Sequence, residues 1–391
     1  MHIGIDARMY GISHRGIGRY IERLIENLAR IDDNNRYTLF MTGGGAANFK
    51  SRGGKFKITR CSVPWYSFKE HWQMPWLIKT SGVELMHWPH INTPYFCPVP
   101  YVVTVHDLIV WHFPDSRATT LPNWQYRLKL RAHRAILKNS LKKARQIITV
   151  SQFTKRDVVR HLKIDAKKIS VIYPGTDKML LGTEKLANSE SFTQYLNSNF
   201  GINKSYLFYV GSAYPHKNLE RLIRAFVLLR QTYHRHWQLV LAGREDYFYK
   251  QLKKFINKAV ADNSIRADII LTGQVSDKDL DGLYRGAKLF IFPSLYEGFG
   301  LPPLEAASRG LAVVAAKAGS IPEVMADAAY YFDPENIETM AQTIDVVGGS
   351  RHIQESLTAK GYERAEQFSW PKMAKNTSAI YDLSTTQFTS G

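Results

Sequence analysis

Apolar residues recur along this chain in two alternating patterns. His2-Ile-Gly-Ile-Asp6 is a short compact run. After a glycine-containing loop, the segment 16–30 spaces Ile17, Tyr20, Ile21, Leu24, Ile25 and Leu28 three or four residues apart. The first pattern predicts a buried strand and the second an amphipathic helix. Residues 37–41, 101–105, 147–150 and 169–173 read as further compact apolar strands. Ser151 is placed to cap a helix running to about His161. The second half repeats the rhythm. A strand at 206–211 precedes a helix from about Lys217 to Thr232, and 239–243, 269–273, 289–293 and 312–316 are strands with helices between them. Alternating β and α units imply a parallel sheet covered by helices on both faces. Two such blocks predict an α/β protein of two doubly wound, Rossmann-like domains. The polar, irregular stretch from Pro174 to Lys204 is the expected linker. No repeat at a solenoid period and no low-complexity tract interrupts this order.

The length of 391 residues agrees with two or three domains. Two cysteines, Cys61 and Cys97, cannot build a disulfide framework, which points to a reducing compartment. No run of 18 or more apolar residues predicts a membrane span. The opening MHIGIDARMYG has no basic flank followed by an apolar stretch, so no signal peptide is expected. Charge changes the picture more. Residues 1–174 carry 28 Lys and Arg against 11 Asp and Glu, a net of +17, whereas residues 175–391 carry 24 against 23, a net of +1. An excess confined to one half suggests an anionic partner: a membrane surface, nucleic acid or a phosphorylated substrate. The segment 122–147 reads as one helix, with Arg127, Arg131, Arg134, Lys138, Lys142 and Arg145 on one stripe. Like charges four apart cost stability. A single-sign stripe therefore suggests an anionic surface, with Tyr95, Phe96, Trp111 and Trp124 near it in sequence.

In open α/β sheets, ligands lie beyond the carboxyl ends of the strands. Three second-half strands end in glycine, at Gly211, Gly243 and Gly273. Glycine there suits a tight turn or a close ligand approach. The most informative segment runs from Phe292 to Ala307, FPSLYEGFGLPPLEAA. Glu297 precedes Gly298-Phe299-Gly300, and Pro302 or Pro303 can begin a helix. Backbone N–H groups at such a helix start form an anion site. Glu305, eight residues after Glu297, can accept two hydrogen bonds from a vicinal diol such as a ribose, at ~1.5–3 kcal/mol each. Spacing alone also permits two acids favoured by a helix dipole.

The Glu-x7-Glu pattern around Gly-Phe-Gly-Leu-Pro-Pro-Leu resembles the signature of glycosyltransferase family 4, retaining enzymes of the GT-B fold that use nucleotide-activated sugars. The resemblance extends over nearly the whole chain. It includes the Gly16-Ile-Gly18-Arg-Tyr helix start, His106-Asp107, Val150-Ser151, Tyr173-Pro-Gly-Thr-Asp177, Val210-Gly211, His216-Lys217-Asn218, Ala242-Gly243-Arg244, the run from Leu271 to Val275, and Gly319-Ser-Ile-Pro-Glu323. Within the family, the chain looks most like bacterial mannosyltransferases of surface polysaccharide assembly.

The resemblance implies an acceptor-binding domain over 1–174, a donor-binding domain over 175–368 and a segment 369–391 that crosses back to the first. The two domains would face each other across a cleft and close at a hinge near residue 174. Lys217 would neutralise the donor diphosphate and the leaving nucleotide. Glu297 would hold the sugar hydroxyls and Glu305 the ribose. Gly298, Phe299, Gly300 and Leu301 would offer main-chain N–H groups, and Gln274 and Val275 would meet the base edge. Gly16 and Gly18 would close on the diphosphate, with Gly211 at the turn before Lys217. His106 would touch the donor sugar. Many relatives carry Arg after the glycine and before the lysine of this loop; this chain has Ser212 and His216, which leaves Lys217 as its one sure cation, with Arg221 a turn further on. Front-face substitution is implied, in which the leaving phosphate takes the acceptor proton. The expected donor is GDP-mannose, with UDP-sugars the alternative. The expected acceptor is a glycan or lipid-diphosphate-linked saccharide, at the anionic inner membrane surface reached through the 127–145 basic helix. The implied location is cytoplasmic, peripheral to the membrane.

No cofactor and no metal is expected. Asp277, Asp279 and Asp281 show Asp-x-Asp spacing, but they follow Ser276, a helix cap. His87 and His90 have no third ligand near them in sequence and read as cleft or loop aromatics. A nucleic-acid-binding protein would explain the basic half, but no zinc ligands, helix-turn-helix or RNA-recognition signature accompanies it. Nucleic-acid binding also does not require Lys217 and the Glu297/Glu305 pair. The intact pair argues against a non-catalytic sugar-nucleotide-binding homologue, and a GT-B epimerase has no need of a basic lipid-facing helix.

Overall fold

A computed structural model describes residues 1–11, 15–49, 54–114, 123–176 and 190–386. The chain divides into two compact units, one of Met1–Gly175 with Phe368–Gly391 and the other of Thr176–Gln367.

In the first unit, β1 (His2–Asp6), β2 (Arg36–Met41), β3 (Phe56–Arg60), β4 (Leu85–Trp88), β5 (Tyr101–Val105), β6 (Gln146–Thr149) and β7 (Ile169–Val171) form one sheet, ordered β3-β2-β1-β4-β5-β6-β7. Every pairing is parallel, and the central register sets Ile3 beside both Tyr37 and Leu85. Ile3, Ile5, Leu39, Val103, Val105 and Ile147 are buried. Helix Trp370–Thr386 belongs to this unit. It packs on helix Arg15–Ile31, and its Met373, Thr377 and Tyr381 are buried. Ser378 Oγ donates to Asp32 Oδ2 at 3.1 Å. Gly175 lies against the backbone of Ser369 and Trp370, where a Cβ would sit 2.1 Å from the Trp370 nitrogen.

In the second unit, β8 (Tyr206–Val210), β9 (Gln238–Ala242), β10 (Ile269–Gly273), β11 (Leu289–Phe292), β12 (Val313–Ala316) and β13 (Ala329–Phe332) are parallel, in the order β10-β9-β8-β11-β12-β13. Counted within the unit this is 3-2-1-4-5-6, the doubly wound order that opens a crevice where the winding reverses, between the first and fourth strands. Both sheets reverse in this way, β1 beside β4 and β8 beside β11.

The apolar runs predicted as strands are strands, but β3, β4 and β13 lie outside them. β3 alternates with charged residues at an edge, and β4 holds a histidine. Two helix boundaries also differ. The 122–147 helix ends at Lys143, because Ala144 turns the chain into β6. The helix expected from Lys217 starts at Leu219, because Asn218 takes a left-handed φ of 62° and leaves Lys217 in a 3-10 turn, Pro215–Lys217.

Candidate functional site

The crevice rule places the second unit's site at the carboxyl ends of β8 and β11. The loops leaving those adjacent strands carry Lys217 and Glu297. Lys217 Nζ donates to Glu297 Oε1 at 2.5 Å, and both side chains are largely buried. The sequence separates them by 80 residues; the strand order makes them neighbours. The ammonium also lies 5.9 Å from the centre of the Phe292 ring. His216, beside Lys217, is buried, and its backbone oxygen accepts from Leu295 N. Burial, aided by the Lys217 charge, pulls its pKa down to about 4. It is neutral near pH 7 and does not replace an arginine. Arg221 Nη1 donates to Asn218 Oδ1 at 3.0 Å, so it braces the turn.

The Glu297 loop is held from behind. The single Ser320 hydroxyl proton is shared between the carbonyls of Glu297 and Phe299, 3.0 and 2.9 Å from Oγ, and Ser320 N donates to Glu297 O. Gly300, at φ 97°, leads into helix Leu301–Ala307. Pro302 and Pro303 have no N–H groups, so the donors of this helix start are confined to the main chain before them. Glu305 is buried on the helix, where Tyr284 Oη donates to its Oε2 at 3.2 Å. Gly211, Gly243 and Gly273 stand side by side at one edge: Gly211 N bonds Ala242 O, and Gly243 N bonds Gly273 O. Gly243 is required by packing, since a Cβ there would meet Gly211 O at 2.2 Å. Gln274, exposed, and Val275, half-buried, follow β10 at the sheet edge, two strands from β8.

In the first unit, Gly16 is exposed in the first turn of helix Arg15–Ile31, and Gly18 is buried. His106 follows β5. Its Nε2 lies 2.8 Å from the Pro89 carbonyl, and its ring meets Tyr20 edge-on at 4.8 Å. A carbonyl only accepts, so Nε2 carries the proton. Burial lowers the His106 pKa to about 4, which keeps the ring neutral. Sequence reading overlooked a buried charged network in this unit. Arg8, wholly buried, bonds Asp6, Glu70 at 2.5 Å and the Val63 carbonyl. Asn92 Nδ2 donates to both Glu70 oxygens, at 2.7 and 2.9 Å. This network ties the ends of β1 and β4 to the start of helix Glu70–Ser81. Its one legible signal was the charge pair Asp6-x-Arg8 directly after an apolar strand.

Two family models match the two halves. Glycosyltransferase Family 4 matches residues 14–179, and Glycosyl transferases group 1 matches residues 197–364. The chain belongs to glycosyltransferase family 4. O-antigen chain mannosyltransferase B of Escherichia coli is 26% identical over 94% of this chain and 96% of the relative. O-antigen chain mannosyltransferase RfbU of Salmonella typhimurium strain LT2 is 26% identical over 72% of this chain and 69% of its own. Sucrose-phosphate synthase from Thermosynechococcus elongatus matches the whole of both chains, with a TM-score of 0.75 at 17% identity. Anabaena HepE, solved with UDP and glucose, matches 97% of this chain and 99% of its own, with a TM-score of 0.69 at 18% identity. These likenesses establish the GT-B fold.

The remaining features of the glycosyltransferase correct several expectations. Six cations do not form one helical stripe. Arg145 lies beyond the helix. Arg134 is committed to Trp111, stacked 4.6 Å over its ring and bonded to its carbonyl. Arg131 and Lys142 are exposed and Lys138 is half-buried, while the Arg127 side chain lies outside the described residues, as does Asp177. His87 is not a loop residue. It sits fully buried in β4, with Nδ1 2.7 Å from Tyr381 Oη and Nε2 2.9 Å from Thr104 Oγ1. The Asp277–Asp281 segment is a capped helix start. Ser276 accepts from Asp279 N, and Asp281 pairs with Arg285 and Arg309. Among the described residues one other group assembles potential metal ligands, His112, Asp157 and His161. There the Asp157 carboxylate is already bonded by His112 Nε2 at 2.9 Å and lies 3.3 Å from His161 Nε2. No described helix is long and apolar enough to cross a membrane.

Proposed function

We propose that this glycosyltransferase is a retaining mannosyltransferase. It moves mannose from GDP-mannose to a glycan or lipid-diphosphate-linked saccharide of a surface polysaccharide, without a metal, at the anionic cytoplasmic leaflet. The carrying observation is the similarity to O-antigen chain mannosyltransferase B, which extends over nearly the full length of both chains. A UDP-sugar is the competing donor, since HepE of the same fold was solved with UDP and glucose.

In this reading Lys217 neutralises the donor diphosphate and the charge that develops on the leaving nucleotide. Glu297 holds that ammonium at 2.5 Å, which orients it before substrate arrives, and takes the sugar hydroxyls. Gly298, Phe299, Gly300, Leu301, Gly16 and Gly18 bring main chain to phosphate and sugar. Glu305 accepts from the ribose diol, and Gln274 and Val275 meet the base. An acceptor hydroxyl attacks the anomeric carbon on the face the nucleotide leaves. The bond to the leaving phosphate breaks, and that phosphate takes the hydroxyl proton. Catalysis is then positioning and electrostatics. His106, neutral and with its Nε2 proton held by Pro89, positions the sugar.

Calorimetric titration without added metal tests this, using GDP-mannose, UDP-glucose, UDP-N-acetylglucosamine and ADP-glucose. Saturable binding of GDP-mannose alone is expected. Glu305→Ala weakens it at least tenfold, a loss of about 1.4 kcal/mol. Binding confined to a UDP-sugar overturns the donor assignment, and unchanged affinity in Glu305→Ala overturns the ribose role. Lys217→Ala lowers kcat more than it raises KM; equal losses in both refute a transition-state role.

A further inference from the structure

The structure assigns the membrane-facing surface of this enzyme to helix Glu70–Ser81 and the segment leading into it, in place of the 127–145 stripe. This rests on the leaflet location proposed above and names the surface that makes the contact. One side of the helix is core: Glu70, Met74 and Ile78 are buried, and Arg8 and Asn92 fix its first turn through Glu70. The other side is a stripe of Lys69, Trp72, Trp76 and Lys79, spaced three, four and three residues apart, and all four are exposed. Trp72 and Trp76 are 62% and 64% exposed, and Phe68, at the entry, is 92% exposed. Two indole rings and a phenyl ring left in water on a rigidly anchored helix are unusual for a surface that stays in water.

The patch extends beyond the helix. Tyr95 N donates to His71 Nδ1 at 3.0 Å, which sets the exposed Tyr95-Phe96 loop beside it. Lys143 lies 4.9 Å over the Tyr95 ring. Glu70 is the one acid between Ser62 and Gly82, and it is buried against Arg8. The exposed surface is thus aromatic with cationic ends, in a half of net charge +17. Indole rings partition to the headgroup level of a bilayer, and lysines beside them are drawn to anionic lipid. That charge complementarity selects an anionic bilayer interface over a neutral protein partner.

Cosedimentation of the full chain with phosphatidylcholine vesicles, with and without phosphatidylglycerol, tests the assignment. Binding is expected only with phosphatidylglycerol. The Trp72→Ala/Trp76→Ala pair should weaken it by ~10-fold or more. Trp72→Tyr/Trp76→Tyr should restore most of it, and transfer to a water-soluble acceptor should be unchanged in both. Wild-type affinity in the alanine pair, with binding lost on neutralising Arg131, Lys138 and Lys142, returns the contact to the other helix and overturns this surface while the leaflet location stands. No binding by the native enzyme overturns the leaflet location itself. An equal loss of transfer to soluble acceptor makes the patch a saccharide platform, and a change in sedimentation without vesicles makes it a self-association face. Either result overturns the assignment.

Discussion

Gly319 shows how closely one backbone position controls the proposed site. Its φ is 62°, and a Cβ there would lie 2.7 Å from the Glu297 nitrogen and 2.9 Å from its oxygen. Both contacts are backbone, so no side-chain rotation relieves them. Gly319→Ala must therefore shift the loop that aims the Glu297 carboxylate at Lys217. The strained conformation costs on the order of 1–3 kcal/mol. We expect a measurable fall in melting temperature and at least a ~10-fold loss in kcat/KM, since a displacement near 1 Å can cost about a hundredfold. Steady-state kinetics beside a thermal melt checks this; native kcat/KM would show that the loop does not set the carboxylate. Ser320→Ala retains the backbone and removes the hydroxyl shared by Glu297 O and Phe299 O. It should cost less, on the order of 1 kcal/mol, because one hydroxyl proton serves both carbonyls.

At the scale of elements, Asn218 is the joint that turns one strand exit into a site. Its left-handed φ of 62° ends the 3-10 turn carrying Lys217 and starts helix Leu219–Gln231. Its Nδ2 donates to Pro293 O at 3.1 Å and Pro334 O at 2.7 Å, so the exit of β8 is tied to the chain after β11 and after β13. Asn218→Ala loses both Nδ2 bonds and the bond from Arg221 and strains φ, and should destabilise the protein by about 2–3 kcal/mol. Asn218→Gly keeps the φ and should lose less. Urea unfolding of the two variants separates the contributions; equal losses would mean the φ is not strained. This joint is also where the chain was least legible. The apolar runs of β8, β9, β11 and β12 are unmistakable, because central parallel strands are buried on both faces. β3 and β4 escape that rule: one is an edge strand and the other holds His87, whose hydrogen bonds come from Thr104 and Tyr381, far away in sequence. Glu297 and Lys217 were legible as residues and their 2.5 Å pairing was not, since strand order alone brings them together. The basic stripe of the 127–145 segment was overread, because periodicity cannot show that Arg134 would stack on Trp111.

On the scale of the whole molecule, His87 couples the C-terminal helix to the first sheet and makes that coupling sensitive to acid. The ring is enclosed between β5 and helix Trp370–Thr386, bonded to Thr104 and Tyr381. Burial pulls its pKa down to about 3. An unfolded chain restores the ordinary value near 6.5. The unfolded state therefore takes up the proton first as pH falls. The stabilisation is complete above about pH 6.5 and is lost progressively as pH drops toward the folded value, by close to 1.4 kcal/mol per pH unit over that window. Stability to urea should accordingly fall between roughly pH 7.5 and 5.5, by on the order of 1 kcal/mol from this residue alone. His106 and His216, lowered for the same reason to about 4, act in the same direction. His87→Gln keeps hydrogen-bonding capacity but does not titrate. It should be less stable at neutral pH, because the amide packs less well, yet its stability should change less with pH. A pH dependence identical to that of the native enzyme would show that His87 is not the group titrating. Proteolysis separates local from global effects. If acid first releases the helix that His87 holds, cleavage within 370–386 should precede loss of the first sheet; simultaneous loss would mean that the helix and the sheet unfold as one cooperative body.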